Sequence, residues 1–225
     1  LAAKKLLIFG AGETATIAAE FFIIDSAENL AGFIVDDKFW KKELMHHGYP
    51  VYKLSTIEME CPTDSYKIFI AISYGQLNQQ RLRVYELIKS LGYELASYIS
   101  SKATIWRTAE IGSNCMIFEG NNIQHRAVIE DNVILWSGNH IGHGSKIRHS
   151  AYLSSHVCIA GFSEVGQRSF IGINASVIDY VTVAEDCFIA AGAMVNKNTE
   201  INSIYMGNPA ERNGKVTAKK YFKVK

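Results

Sequence analysis

Proline is nearly missing from the middle of this chain. Of 225 residues only Pro50, Pro62 and Pro209 are proline, and none lies between Pro62 and Pro209. Proline removes a backbone donor and is kept out of interior strands, so the long interval between them is free to build uninterrupted ladders. Cysteine is sparse as well. Cys61, Cys115, Cys158 and Cys187 lack metal-ligand spacing, which suggests neither a zinc site nor a disulfide framework. Ordinary thiols in a reducing cytoplasm, with no metal, are expected. Charge of either sign is not in excess: the net value of +1 gives no reason to expect nucleic acid or an anionic membrane as partner. No apolar run approaches the ~20 residues that span a bilayer. The start, Leu1 to Gly12, has no signal-peptide layout.

What is present is a repeat. Stepping by six from Ile105 meets Ile111, Ile117, Ile123, Ile129, Leu135, Ile141, Ile147, Leu153, Ile159, Val165, Ile171, Val177, Val183, Ile189, Val195 and Ile201, without a slip. Four places after each stands a small or medium-sized residue, among them Cys115, Asn121, Ala127, Asn139, Ala151, Ala175 and Ala193. A period of six makes no single stripe on an α-helix, and a continuous strand would not confine its small residues to one phase. Short straight segments joined by turns, each giving one large and one small residue to a shared interior, fit both phases. Three such sides make an 18-residue triangular coil, and stacked coils pair through parallel ladders.

This pattern resembles the hexapeptide-repeat acyltransferases, over about Ile105 to Ala210. The resemblance, and not the spacing, implies a left-handed β-helix. The coil period then stacks Asn121 below Asn139 and His125 below His143. The asparagines occupy the inward phase, where a buried amide ladder is the expectation. No insertion interrupts the repeat, so a substrate pocket must be completed from outside the prism, as by a neighbouring subunit. Phe118 and Trp136, also eighteen apart, are expected to be exposed and to serve as an interface or substrate platform.

The first third reads differently. A strand (Leu6 to Phe9), a glycine turn (Gly10, Gly12) and a helix from about Glu13 open the chain; a second strand (Ala31 to Val35) ends at Asp36 and Asp37. A third (Lys67 to Ile72) ends near Ser73, and a helix over Gln79 to Ser90 follows, then Tyr93 to Tyr98 leading into the repeat. This βαβαβ layout predicts a small parallel, Rossmann-like sheet with ligand space at its carboxyl edge, where glycine turns and helix N-terminal amides suit a phosphate. Ala15 stands where the third fingerprint glycine would fall, which disfavours an NAD-dependent oxidoreductase.

GAGE at Gly10 to Glu13, GFIVDD at Gly32 to Asp37, AIS at Ala71 to Ser73 and the repeats together resemble the bacterial nucleotide-sugar N-acetyltransferases and the sialic acid O-acetyltransferase-like proteins related to them. The resemblance implies three parts: a nucleotide-sugar-binding domain over residues 1–100, a β-helix acyltransferase domain over 101–212, and a tail over 213–225. It also implies a UDP-, dTDP- or GDP-linked amino-deoxy sugar as acceptor, acetyl-CoA as donor, and a homotrimer serving surface-glycan (lipopolysaccharide) synthesis. Gly10, Gly12 and Glu13 would lie near the diphosphate or sugar, Asp36 and Asp37 near the base, and Ala71, Ile72 and Ser73 alongside. Val35 adds one aliphatic to the usual GF-aliphatic-DD, which leaves the base open.

Five of the seven histidines, His125, His140, His143, His149 and His156, fall inside the repeat, and imidazole suits proton removal near neutral pH. In the family the histidine at the place of His143 is the proposed general base. Gly144 follows it where an acidic residue or histidine is common, so Glu119, Glu130, Asp131 or a backbone carbonyl would have to orient the ring. His140 would contact the sugar or the next subunit; His125 and His156 read as structural and His149 as solvated. Gly161, stacked over His143, is the candidate oxyanion or pantetheine contact. Gly172, Ala190, Ala191, Lys197 and Pro209 of the GNPA string would line coenzyme A. O-acylation of a sialic-acid type and a β-helical binding protein without turnover are the rival readings.

Overall fold

The computed structural model describes residues 3–224. Its first part is a sheet built on β1 (Lys5–Phe9), followed by α1 (Glu13–Asp25), β2 (Leu30–Val35), β3 (Met45–His46), β4 (Tyr49–Lys53), α2 (Ile57–Glu60), β5 (Tyr66–Ile70), α3 (Gln79–Ser90) and β6 (Glu94–Leu95). The strand order is β3-β4-β2-β1-β5-β6, all neighbours parallel except the β3–β4 hairpin. Helix α1 buries Ala15, Ala18, Ala19 and Phe22, one face at helical spacing. The sequence pattern does not announce the hairpin, because its strands are short. Its turn is a left-handed pair, His47 (φ 49°) and Gly48 (φ 79°), the geometry that two-residue hairpin loops favour.

The remainder is a three-sided parallel β-helix. The first face stacks Tyr98–Ile99, Met116–Ile117, Ile134–Leu135, Tyr152–Leu153, Phe170–Ile171, Phe188–Ile189 and Ile204–Met206. The second stacks Thr104–Ile105, Asn122–Ile123, His140–Ile141, Cys158–Ile159, Ser176–Val177 and Met194–Val195. The third runs from Glu110–Ile111 to Thr182–Val183. Below the last coil each rung pairs with the residue eighteen places on, as Ile123 with Ile141 and Ile141 with Ile159. Ile117, Ile141, Ile159, Ile171 and Ile189 are completely buried in one continuous core. Asn121 and Asn139 point inward and spend their amides on backbone: both donate to the Trp136 carbonyl, at 2.9 and 2.6 Å. That is the expected buried ladder.

Two ends differ from the repeat as read. The prism starts one rung earlier, because Tyr98–Ile99 pairs beneath Met116–Ile117. At the top Ile189 lies opposite Tyr205, so Tyr205 takes the inward place. Ile201, in phase by sequence, sits on a turn and is 55% exposed. The chain then folds back through α4 (Ala218–Tyr221): Ala218 is buried with Leu77, and Phe222 packs on Tyr74, Phe170 and Phe188.

Phe118 and Trp136 do not form the exposed platform expected of them. They do stack, with ring centroids 4.6 Å apart, but Phe118 is 2% exposed and meets Phe21 of α1 edge-on. The first face is covered by the N-terminal sheet and α1 in a shared core. Outward aromatics on that face are therefore the glue between the two halves of one chain. Arg81 of α3, wholly buried, joins them again by donating to the carbonyls of Ser73, Asn132, Ser150 and Ala151. Burial pulls its guanidinium down to about 10.

Candidate active site

The carboxyl ends of β1, β2 and β5 open into a cavity of about 900 Å³. Gly10 and Gly12 form its turn, and Asp36 and Ile72 sit on its wall. Three cations that the sequence reading passed over, Lys38, Lys41 and Arg83, join them, so positive charge outnumbers the one carboxylate in a concave, partly apolar site. Such a cavity suits an anion carrying an apolar or aromatic body.

Four residues named beside this site stand off the cavity wall. Asp37 turns away, accepting from the Ser55 amide at 3.1 Å and pairing with Lys53 at 3.3 Å. Burial alone would raise its carboxyl, but the Ser55 bonds and the Lys53 ammonium outweigh it and hold the group low. Ala71 is buried behind the Gly10 turn. Ser73 gives its carbonyl to Arg81 at 3.2 Å. Glu13 is exposed at the start of α1. On the far wall the hairpin brings His46, edge-on to Phe33 at 4.6 Å, and Thr16 Oγ1 lies 3.3 Å from Nε2 of His46 and 3.0 Å from Nε2 of His47. Burial, then the neighbouring His47, lowers the pKa of His46.

The histidines of the prism lie on different edges. His143 stands exposed on the corner between the second and third faces. Its ring rises over Gly161: a Cβ built there would lie 2.6 Å from the imidazole Cε1. Phe162 meets it edge-on, centroids 4.8 Å apart and planes at 85°. The three carboxylates expected to orient the ring are engaged elsewhere. Glu130 pairs with Arg148 at 2.7 Å, Asp131 accepts from Tyr85 at 2.7 Å, and Glu119 accepts from Ser137 at 2.7 Å on a different corner. The amide of Gly161 is also committed, donating to Oδ1 of Asp179 at 2.9 Å. It is not a free oxyanion donor, and the sequence-stacked glycine serves the imidazole by leaving room for it.

His140 projects from the second face and is exposed, one rung below Cys158. His125 is exposed below His143, and the His156 ring lies down over Gly138. His149 is not solvated as expected. Its Nδ1 lies 2.7 Å from Ser150 Oγ, its ring meets Tyr85 at 4.9 Å, and burial lowers its pKa.

The residues named for coenzyme A border the second face. Lys197 is exposed on the His143 corner, two coils above Gly161. Gly172, Ala190 and Ala191 lie at the opposite margin, where Gly172 is buried: a Cβ there would be 2.5 Å from the Ala191 amide nitrogen. Its smallness is thus required by the next coil. Pro209 is exposed beside the uppermost rung, where Gly207 accepts from Met194 and Ala210 donates to it.

No family model matches the chain, and no curated protein matches it. Solved structures do. A histidine-to-asparagine variant of perosamine N-acetyltransferase from Caulobacter crescentus, in complex with CoA and GDP-perosamine, superposes with a TM-score of 0.84 at 23% identity, covering 95% of this chain and 98% of that one. The chain has the fold of these acetyltransferases, a small α/β domain on a left-handed β-helix. The acetyltransferase domain of PglB from Neisseria gonorrhoeae gives a TM-score of 0.81 at 23% identity, covering 94% of this chain and all of that one, and it has also been solved with acetyl coenzyme A. Among the described residues no helix is long and apolar enough to cross a membrane.

Proposed function

We propose that this chain transfers an acetyl group from acetyl-CoA to the amine of a nucleotide-linked amino-deoxy sugar, with His143 as general base. The observation that carries the reading is the match, over 95% of the chain, to an enzyme held in complex with CoA and GDP-perosamine, joined to a cationic cavity at the carboxyl edge of the N-terminal sheet. Gly10, Gly12, Lys38, Lys41 and Arg83 would receive the diphosphate. Asp36 would receive the ribose or base.

The amine nitrogen attacks the thioester carbonyl, and His143 takes the proton that the nitrogen sheds. As the tetrahedral adduct collapses, the C–S bond breaks and that proton passes from the imidazolium to the departing sulfur, releasing coenzyme A as its thiol. Because the thioester is already activated, no covalent enzyme intermediate is needed, and base catalysis of this kind contributes about 10²–10⁴-fold. The N-terminal half packs on the first face, whereas His143 is on the corner opposite that face. Residues of the N-terminal half alone line the cavity. A sugar held there would meet the His143 of another copy, which supports a homotrimer with coenzyme A along the second face, between Lys197 and Ala191.

The test is release of free thiol from acetyl-CoA in the presence of UDP-, dTDP- and GDP-linked amino sugars, with the matching hydroxyl sugars as controls. Thiol release with amines alone is expected. Release only with hydroxyl sugars, or none with either, would refute the reading.

A further inference from the structure

Gly144 is a glycine for the sake of Phe162 and not for its backbone. It has φ +67°, but so do its counterparts in the same column of corners carry left-handed φ with full side chains: Arg126 at 56°, Phe162 at 57° and Tyr180 at 63°. Conformation therefore does not demand glycine here. Space does. A Cβ on Gly144 would lie 2.8 Å from Cδ1 and Cε1 of the Phe162 ring, which lies down into the room the glycine leaves and presents its edge to His143. Tyr180 stacks on the far side of that ring, 5.3 Å away and within 11° of parallel. On its other side His143 meets the bare Gly161, whose amide Asp179 fixes.

We propose that Phe162 is the positioning residue for His143, holding the imidazole by ring contact, with Gly144 making room for it and Gly161 forming the opposite wall. The inference rests on the reading of His143 as general base. An exposed imidazole on a flexible side chain samples several rotamers, and confining it to one shortens the search for the reacting geometry. Phe162 acts through His143 and touches no reacting atom, so its loss should change turnover and leave substrate binding alone.

Four substitutions, alone and in two pairs, test this in steady-state acetyl transfer with the full chain. Phe162→Ala should lower kcat about tenfold, with KM for either substrate within about twofold, while Phe162→Tyr retains most of kcat. Gly144→Asp should lower kcat by a similar factor by displacing the ring, yet cost nothing further when added to Phe162→Ala, the non-additivity of a shared contact. In a His143→Asn background Phe162→Ala should have no effect on the residual rate. Additive losses, or an equal Phe162→Ala loss in the His143→Asn background, would overturn the inference and leave the general-base reading standing. Full activity of His143→Asn would remove both. Thermal melting of each variant separates unfolding from loss of position.

Discussion

Arg81 Nη2 donates to the Ser150 carbonyl at 2.8 Å across the seam between α3 and the prism. The same guanidinium reaches Asn132, Ala151 and Ser73, so one side chain satisfies carbonyls on two stacked corners and one loop. Replacing it by Leu would leave several buried acceptors without donors, each costing about 1–3 kcal/mol. Arg81→Leu is expected to lower the unfolding free energy by about 3 kcal/mol or more. A normal urea midpoint for that variant would contradict the assignment.

His143→Asn is expected to lower acetyl transfer by about 10²–10⁴-fold while leaving the melting temperature unchanged, since the ring is exposed and outside the core. Rates and melting curves measured on the same preparations decide it.

The cavity cations should matter to binding more than to turnover. Lys41→Ala and Arg83→Ala are each expected to weaken binding of a nucleoside diphosphate by several fold, and more at low salt, because partly exposed charges are screened within ~10 Å at 0.1 M. Titration calorimetry at two ionic strengths would show it. Affinity that ignores salt would argue that these side chains contribute nothing to the anion.

Stability should fall on mild acidification. His149 and His46 are both held below their ordinary pKa by burial. The folded state therefore binds protons less readily than the unfolded chain. The stability this provides is present above about pH 6.5 and is lost as pH falls through the lower folded values. A melting temperature that drops between pH 7 and pH 5, with a shallower drop in His149→Gln, is the expected result.

Two isoleucines in the same phase of the repeat should behave differently. Ile159 is completely buried and Ile201 is 55% exposed. Ile159→Ala should cost about 2–5 kcal/mol, and Ile201→Ala less than about 0.5 kcal/mol. Chemical denaturation of the two variants compares them directly.

That contrast also marks how far the sequence could be read. From Ile117 to Val195 the six-residue step names inward residues, because a coil of constant length forces every rung into one phase. It fails at Ile201, where the last coil closes early on Tyr205 and the phase no longer describes the chain. In the N-terminal half, the glycine turn, Asp36 and Ile72 were legible because the carboxyl edge of a parallel sheet is where a ligand can reach backbone. Lys38, Lys41 and Arg83 were not, since lysine and arginine in loops and on helix surfaces carry no local signal of convergence.

By itself the sequence determined the prism, its period and the stacking of His143 beneath Gly161, since these follow from covalent spacing along a regular coil. Tertiary structure decided which faces are free. It hid Phe118 against α1, sent Arg81 into the seam, engaged Glu119, Glu130 and Asp131 away from His143, and laid Phe162 over Gly144. The physical reason is that side-chain direction and the docking of one domain on another depend on contacts between distant residues, which no period records.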